Sequence, residues 1–519
     1  RPPAVAHVCD DLACRLNGAD ELCRDLERTW GSEGVPSADG QATWLRSPCL
    51  GLCERAPAAM ITQAGTDGST EVVAPVDAVG IAARLDGHRP LDAPAAAPAD
   101  ARLNELRESV PQAGSPGLRL LARIGVVDPA SLDDYRAHGG FAALERARAI
   151  GPQRVIEEVM AAGLVGRGGA AFPTGRKWAA VAAQPAEPHY LVCNADESEP
   201  GTFKDRVLME GDPFAVVEAM AIEAFAVGAS KAFLYIRGEY PLAEARIRDA
   251  IDASRAAGLL GDLDIEVRRG AGAYICGEET ALFESIEGKR GEPRNKPPFP
   301  VEVGLFGKPT AVNNVETLVN VLAIVGSDNG AAAFAAIGSG TSTGPKLFCL
   351  SGNVARPGVY EVEFGVTLRA LIELAGGVPG DRAIRAVLLG GAAGVFVGSD
   401  ALDVPLTFEA TRAIGATLGS GVVMVFDETA DVVGALTRIA RFFRDESCGQ
   451  CVPCRVGTVR QEELLARLAA GSANGSRDGE LALLREIGQV MRDASICGLG
   501  QTASSAIESA LRQPELVAL

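Results

Sequence analysis

Apolar positions recur along the chain with more than one period. Val432, Leu436, Ile439 and Phe443 fall at i, i+4, i+7 and i+11, one stripe of a helix, with Arg438, Arg441 and Arg444 expected on other faces. Leu464, Leu465 and Leu468 predict a second helix that Gly471 stops. Leu483, Ile487, Val490 and Met491 predict a third, ending near "SICGLGQTA". Upstream, the helical "RVIEEVMAAGLV" alternates with strand-like "HYLVC" and "KAFLYI", an α/β pattern. "KLFCLSGNVARPGVYEVEFGVTLRALIELAG" reads as strand, Pro-Gly turn, strand and a helix from about Leu368, a small α+β module. The first 87 residues alternate short apolar runs with cysteine-containing turns, and "GHRPLDAPAAAPADARLN" then reads as a linker. The expected fold class is multidomain α/β and α+β, divided at 1–87, a linker at 88–104, 105–344, 345–428 and 429–519. No repeat of solenoid period is present.

Length agrees with that division, since a prior of about 150 residues per domain gives three or four for 519 residues. Against 67 acidic residues stand 49 basic ones, a net charge of −18 that repels phosphate at long range, so no nucleic-acid or anionic-membrane partner is expected. There is no uncharged apolar run long enough for a spanning helix and no secretory signal, so a cytoplasmic location is expected. The chain opens at Arg1 rather than Met, so its true start is expected to be missing or trimmed. His7, His88, His138 and His189 are the only histidines, and none sits in a metal-ligand spacing. Histidine acid–base catalysis is therefore disfavoured, no catalytic side chain is assigned, and the chemistry is given to bound cofactors.

Cysteine spacing says which. Cys448, Cys451 and Cys454 are each three residues apart in "ESCGQCVPCRVGT", and Cys497 follows alone in "SICGLG". Three close thiolates and one remote one suit the corners of a [4Fe–4S] cube, whereas zinc favours two CxxC pairs. Cys9 and Cys14 form one pair and Cys49 and Cys53 another, an arrangement that suits a [2Fe–2S] cluster, with zinc or disulfides as the alternatives. Cys23 reads as a core thiol, and Cys193, Cys276 and Cys349 as buried structural residues.

Three loops read as binding elements. "GLVGRGGAAFPTGRKW" offers exposed amides followed by Arg176 and Lys177, a phosphate cradle without the ending of a Walker A loop. "CNADESEPGTFKDR" gathers Asn194, Asp196, Glu197 and Glu199 on a turn after a strand. "GAGAYICGEETAL" sets glycines around an expected strand at Tyr274–Cys276, with Glu278 and Glu279 next. Acidic turns are often only solvated, and that reading stands beside the functional one. "GSGTSTGPK" mimics a P-loop, but Pro345 interrupts it, and it reads as an interdomain turn.

Taken together, "GRGGAAFPTGRKW", "NADESEPGTFKDR", "GAYICGEETAL", "NKPPFP", "PTAVNNVETL" and "ESCGQCVPCRVGT…SICGLGQTA" resemble the flavin-containing, NADH-oxidising (51 kDa-type) subunit of respiratory complex I and its relatives in soluble hydrogenases and formate dehydrogenases. The resemblance implies an FMN-binding α/β domain, a β-grasp (SLBB-like) module and a helical bundle with one [4Fe–4S] cluster. It implies FMN contacts at Gly166, Gly168, Lys177, Asn194, Asp196, Tyr274, Gly277, Glu278, Asn313, Asn314 and Thr317. NAD contacts would fall at Phe172, Glu197, Glu199, Glu279, Lys296 and Phe299. Two departures are Ala171, where relatives usually have Gly, and Ala180, where complex I members tend to have an aromatic residue.

The first 87 residues resemble a thioredoxin-like [2Fe–2S] ferredoxin that is a separate subunit in complex I. Its fusion here resembles the diaphorase subunits of soluble enzymes. "DPASLDDYRAHGGFAALERA" looks most like the β subunit of Mo- or W-dependent NAD-linked formate dehydrogenase. That implies a catalytic α subunit with further iron–sulfur clusters as partner. The alternatives are the diaphorase of a bidirectional hydrogenase, a complex I flavin subunit, or a redox-inactive scaffold with zinc in both cysteine sites.

Overall fold

The computed structural model describes residues 2–65, 68–86 and 99–517. Near the amino terminus, the strand Ala4–Cys9 is buried on both faces. It runs parallel to Ala42–Ser47 and antiparallel to Ala59–Gln63, which pairs in turn with Ser69–Val73. Helices Ala19–Trp30 and Ala78–Leu85 deliver Leu22, Leu26, Ile81 and Leu85 to this sheet, and Cys23 joins them as the expected core thiol. This is the thioredoxin-like module; of its four other cysteines, Cys9 ends the first strand, Cys14 lies in the short helix Leu12–Leu16, Cys49 follows the second strand and Cys53 opens a 3-10 helix.

Most of the expected linker lies outside the described residues. Its last residues do not form a linker, because Ala99–Ser109 is a helix. Beyond Pro98 the chain holds no proline until Pro111, and the Ala-, Glu- and Arg-rich stretch between them favours helix.

The second sheet is wholly parallel, in the order Asp264–Arg269, Ala229–Ile236, His189–Ala195, Thr310–Asn314. The first strand in the chain, His189–Ala195, therefore has the second and the fourth as neighbours. Strand order reverses beside it, and ligands of such sheets bind in the crevice at the carboxyl ends around that point. Asn194 and Asn314 are there, at register-paired positions. Helix Pro213–Val227 packs on the sheet and is buried almost all round.

A third, mixed sheet has the order Gly358–Glu363, Pro345–Gly352, Val422–Asp427, Ile384–Leu389, Val395–Val397. Helix Leu368–Leu374 covers one face through Leu368, Leu371 and Ile372, which makes the β-grasp-like module. The expected interdomain turn before it is a small hairpin that pairs Gly338–Ser339 with Ser342–Thr343.

The carboxyl-terminal helices are Val432–Glu446, Val452–Ala469 and Arg477–Ala494, followed by two short ones. The stripe Val432, Leu436, Ile439 and Phe443 is buried as expected. Arg438 is not on an outer face: it is buried against Asp10 and Asp11. In the third helix, Leu483 and Val490 are 46 % and 56 % exposed, and the packed stripe is instead Leu484, Gly488 and Met491. Among the described residues no helix is long and apolar enough to cross a membrane.

Candidate cofactor-binding site

At the switch point of the parallel sheet lies a cavity of about 420 Å³, within the range of small-molecule sites. Its walls come from three modules. The sheet contributes Gly168, Asn194, Asp196, Glu199, Lys204 and Asn314, the β-grasp module Thr417 and Ser420, and the helical region Leu499 and Thr502. The strand expected at Tyr274–Cys276 is a short 3-10 helix, Tyr274–Gly277. Closely spaced glycines on both sides turn the chain there, and Tyr274 and Gly277 reach the cavity.

Of the residues expected around FMN, Gly168, Asn194, Asp196, Tyr274, Gly277, Glu278 and Asn314 line this cavity. Gly166, Lys177, Asn313 and Thr317 stand behind its lining. Thr317 Oγ1 accepts from the Arg167 amide at 2.8 Å, Lys177 Nζ donates to Val312 O at 2.6 Å, and Asn313 donates to the buried Glu223. Of those expected on the NAD side, Glu197 and Glu199 line it. Phe172 and Phe299 lie outside it and are 53 % and 52 % exposed, high for large apolar rings. Lys296 Nζ joins Glu278 (2.9 Å) to Glu279 (2.7 Å), which ties the Phe299 loop to the cavity wall. Ala171 sits at φ 51°, the left-handed region, where a side chain costs about 1–2 kcal/mol and glycine costs least.

The acids are not solvated turns. Both carboxylate oxygens of Asp196 are buried without a hydrogen-bond partner, and burial pushes its pKa up to about 7. Burial also lifts Glu199 to about 7 and Glu197 to about 8. Glu199 accepts from Tyr274 Oη at 2.5 Å and from Ala393 N of the β-grasp module at 2.7 Å. Glu197 accepts from the amides of Asp205 and Arg206, so its carboxylate caps the helix Lys204–Gly211. FMN fits this chemistry. Its hydroxyls can donate to Asp196, and a Cβ on Gly168 would approach Asn314 Cβ to 3.1 Å in a part of the wall the loop leaves open.

A folded-state carboxyl pKa above the unfolded value favours the native state at low pH, and that stability is lost as pH rises through the folded value. The flavin-free protein is therefore expected to melt at progressively lower temperature as pH rises from 3.8 to about 7 and to level off above it, and Asp196→Asn to flatten part of that slope. Differential scanning fluorimetry across pH reads it, and a midpoint that climbs over this interval in the unaltered protein contradicts the assignment.

Sequence reasoning passed over Lys204 and Asp205, although both lie in the quoted "GTFKDR". Lys204 is fully buried, with Nζ 2.8 Å from Asp205 Oδ1 and 3.0 Å from Glu316 Oε2. Asp205 Oδ2 in turn accepts from Asn314 Nδ2 at 2.6 Å. The charged network thus holds Asn314 in place in the cavity wall.

Cys448, Cys451, Cys454 and Cys497 surround one small hollow beside the cavity, together with Ile275 and Leu499. Cys451 caps helix Val452–Ala469, and Cys497 precedes the turn Gly498–Thr502. Burial pushes the Cys454 thiol up to about 11, while Ser447 Oγ lies 3.2 Å from its sulfur. Burial also raises Cys497, and the Leu499 and Gly500 amides draw it back. Ile275 and Leu499 line both the hollow and the larger cavity, so the two sites share these residues as a common wall.

Cys9, Cys14, Cys49 and Cys53 also converge. Cys49 and Cys53 sulfurs are 3.4 Å apart, and Cys9 hydrogen-bonds with Cys14 and Cys49. Hydrogen bonds from Cys53 and Cys9 push Cys49 well below the usual thiol range, while the contact with Cys49 holds Cys53 above it and contacts with Cys14 and then Cys49 hold Cys9 above it. Four converging thiols suit a cationic iron centre, which displaces their protons. Cys193, Cys276 and Cys349 are buried, as expected of structural residues.

Comparison with known proteins gives four family matches in chain order. These are a thioredoxin-like [2Fe-2S] ferredoxin at 2–77, the Nuo51 FMN-binding domain at 159–323, an SLBB domain at 347–393 and the NADH-ubiquinone oxidoreductase-F iron-sulfur binding region at 434–515. The F subunit of the NADH-quinone oxidoreductase of Aquifex aeolicus is 46 % identical over 392 residues, 74 % of this chain and 89 % of that one. The NADP-reducing hydrogenase subunit HndC of Solidesulfovibrio fructosivorans is 45 % identical over 404 residues, 76 % of this chain and 81 % of that one. A crystal structure of an NAD+-reducing [NiFe]-hydrogenase in the H2-reduced state superposes with a TM-score of 0.82 at 36 % identity, covering 99 % of this chain and 85 % of that one.

Proposed function

Because the chain belongs to the Nuo51-type family of FMN-binding, iron–sulfur, NADH-oxidising subunits, we propose that it is the diaphorase end of a multi-subunit oxidoreductase. The observation that carries this reading is the shared wall of Ile275 and Leu499 between the cavity and the four-cysteine hollow. Bound FMN exchanges a hydride with nicotinamide on one side and single electrons with iron–sulfur clusters on the other.

The residues divide the remaining work. Gly168, Asn194, Asp196, Tyr274, Gly277, Glu278 and Asn314 would seat the flavin from the cavity wall, while Gly166, Lys177, Asn313 and Thr317 would support that wall from behind. Phe172 and Phe299 offer exposed rings for stacking the dinucleotide, and Glu197, Glu199, Glu279 and Lys296 meet its polar edge. Ile275 and Leu499 keep water from the short path to the cluster held by Cys448, Cys451, Cys454 and Cys497. Cys9, Cys14, Cys49 and Cys53 hold the [2Fe–2S] cluster. No side chain here has to move a proton for hydride exchange, which agrees with the scarcity of histidine.

For the partner, segment 128–147 supports the α subunit of a Mo- or W-dependent formate dehydrogenase, with this chain as β subunit reducing NAD. A second reading, the diaphorase of an NAD-linked hydrogenase, is favoured by the likeness to the hydrogenase structure over 99 % of the chain, its [2Fe–2S] module included. The test uses the complex isolated anaerobically from its source. Formate is added first and then hydrogen, with NAD reduction followed at the absorbance of NADH. Formate-dependent NADH is the expected result, and hydrogen-dependent NADH moves the partner to a hydrogenase. A preparation inert to both, whose flavin NADH still bleaches, points to a quinone-linked complex.

A further inference from the structure

Three arginines far apart in the chain converge on the loops that carry Cys9, Cys14, Cys49 and Cys53. Arg237 leaves the end of the central strand Ala229–Ile236 and is buried. Its Nη2 donates to Cys49 O at 2.6 Å, its Nη1 donates to Glu197 O in the cavity wall at 2.7 Å, and its guanidinium lies on the Tyr240 ring. Arg438, from the helix above the other cysteine hollow, has Nη2 3.0 Å from Asp11 Oδ2 and donates through Nε to Asp10 O. The same Asp11 oxygen accepts from Cys49 N at 3.2 Å. Arg206 donates through Nε to Gly51 O at 2.9 Å and pairs with Glu54 and Glu210. Gly51 is held tightly, since a Cβ there would meet Tyr240 Oη at 2.2 Å.

Cys49 is thus gripped from both sides of its peptide: its carbonyl directly by Arg237, its amide through Asp11 by Arg438. Guanidinium groups stay charged at every accessible pH, and charge acts strongly where water is excluded. A [2Fe–2S] cluster gains one negative charge on reduction, so a fixed cation in contact with a ligand loop favours the reduced form. Arg237 is paired with Glu239, and Arg438 sits between the two carboxylates of Asp10 and Asp11. Without the arginine they act against the added electron.

We propose that Arg237, with Arg438 as its counterpart, is a positioning residue that fixes the Cys49 loop against the flavin module and raises the midpoint potential of the [2Fe–2S] cluster. This rests on the reading of Cys9, Cys14, Cys49 and Cys53 as its ligands. Among the described residues Arg438 touches none of the flavin cavity, whereas Arg237 also donates to the Glu197 carbonyl in the cavity wall, so flavin content is measured beside the potential in every variant.

The experiment is an anaerobic redox titration of the purified complex followed by electron paramagnetic resonance, which separates the [2Fe–2S] signal from the [4Fe–4S] signal. Arg237→Met is expected to lower the reduction equilibrium of the [2Fe–2S] cluster about tenfold, ~59 mV for one electron, with the [4Fe–4S] potential and flavin content unchanged. Arg237→Lys, which keeps the charge, should recover most of that shift. Should Arg237→Met fail to assemble, Arg438→Met gives the same readout from the other side of the loop. A potential that stays put in a variant with full cluster signal overturns the inference alone. Absence of any [2Fe–2S] signal from the unaltered complex overturns the ligand reading as well.

Discussion

Cys451→Ser stops electrons from leaving the chain while NADH still reduces the flavin. Cys451 both lines the four-cysteine hollow and caps helix Val452–Ala469, so the substitution keeps a small polar residue at the cap and removes a soft, anionic ligand. A serine hydroxyl holds its proton far more tightly than a thiol, so the cluster is lost or converted to a three-iron form. The cavity residues Asp196, Lys204 and Asn314 are untouched, and the flavin remains seated. Anaerobic bleaching of the flavin by NADH is expected to proceed as in the unaltered complex, while NADH-dependent reduction of the partner's centres falls to background. Loss of flavin bleaching in a correctly folded variant would show that this cluster does more than carry electrons away.

Lys204→Met should be the most destabilising single change at the site. Lys204 Nζ is the cation between Asp205 and Glu316, both buried. Lys346 Nζ, 3.7 Å from Glu316 Oε2, still faces Glu316, so the carboxylate left without its lysine is Asp205. Removing one partner of a buried charge pair leaves the other uncompensated, at a cost of about 3–5 kcal/mol. Asp205 then loses the geometry with which it holds Asn314, so the flavin site fails with the fold. A markedly lower melting temperature and a substoichiometric flavin content are expected. Full flavin at an unchanged melting temperature would mean that the buried charges are satisfied by some other arrangement.

The cysteine sites were readable because most of their information is local. Three ligands within seven residues and one remote thiol followed by Gly498 needed no knowledge of the fold. The α/β character of the central region was also readable, since strands buried on both faces appear as short continuous apolar runs between helical stretches. The charged scaffold was not. Arg237 meets Cys49 188 residues away, and Arg438 meets Asp10 428 residues away, separations that no periodicity can signal. Arg438 illustrates the difficulty, because a helical stripe places it on an outer face only until another module packs there. Leu483 and Val490 misled for a related reason. Apolar residues at adjacent helical positions define two overlapping stripes, and packing chose the one through Leu484 and Met491. Lys204 was hidden among other charged residues in a motif that reads as solvated, and only burial distinguishes it.

The central claim is that one chain carries a flavin and two iron–sulfur clusters in electronic contact. Its most direct test is cofactor analysis of the anaerobically purified protein, with metals, acid-labile sulfide and flavin measured per chain, before and after addition of NADH. One FMN, one [4Fe–4S] and one [2Fe–2S] cluster per chain are expected, with the visible colour bleaching on NADH. Zinc in place of iron, no labile sulfide and a colourless protein would contradict it.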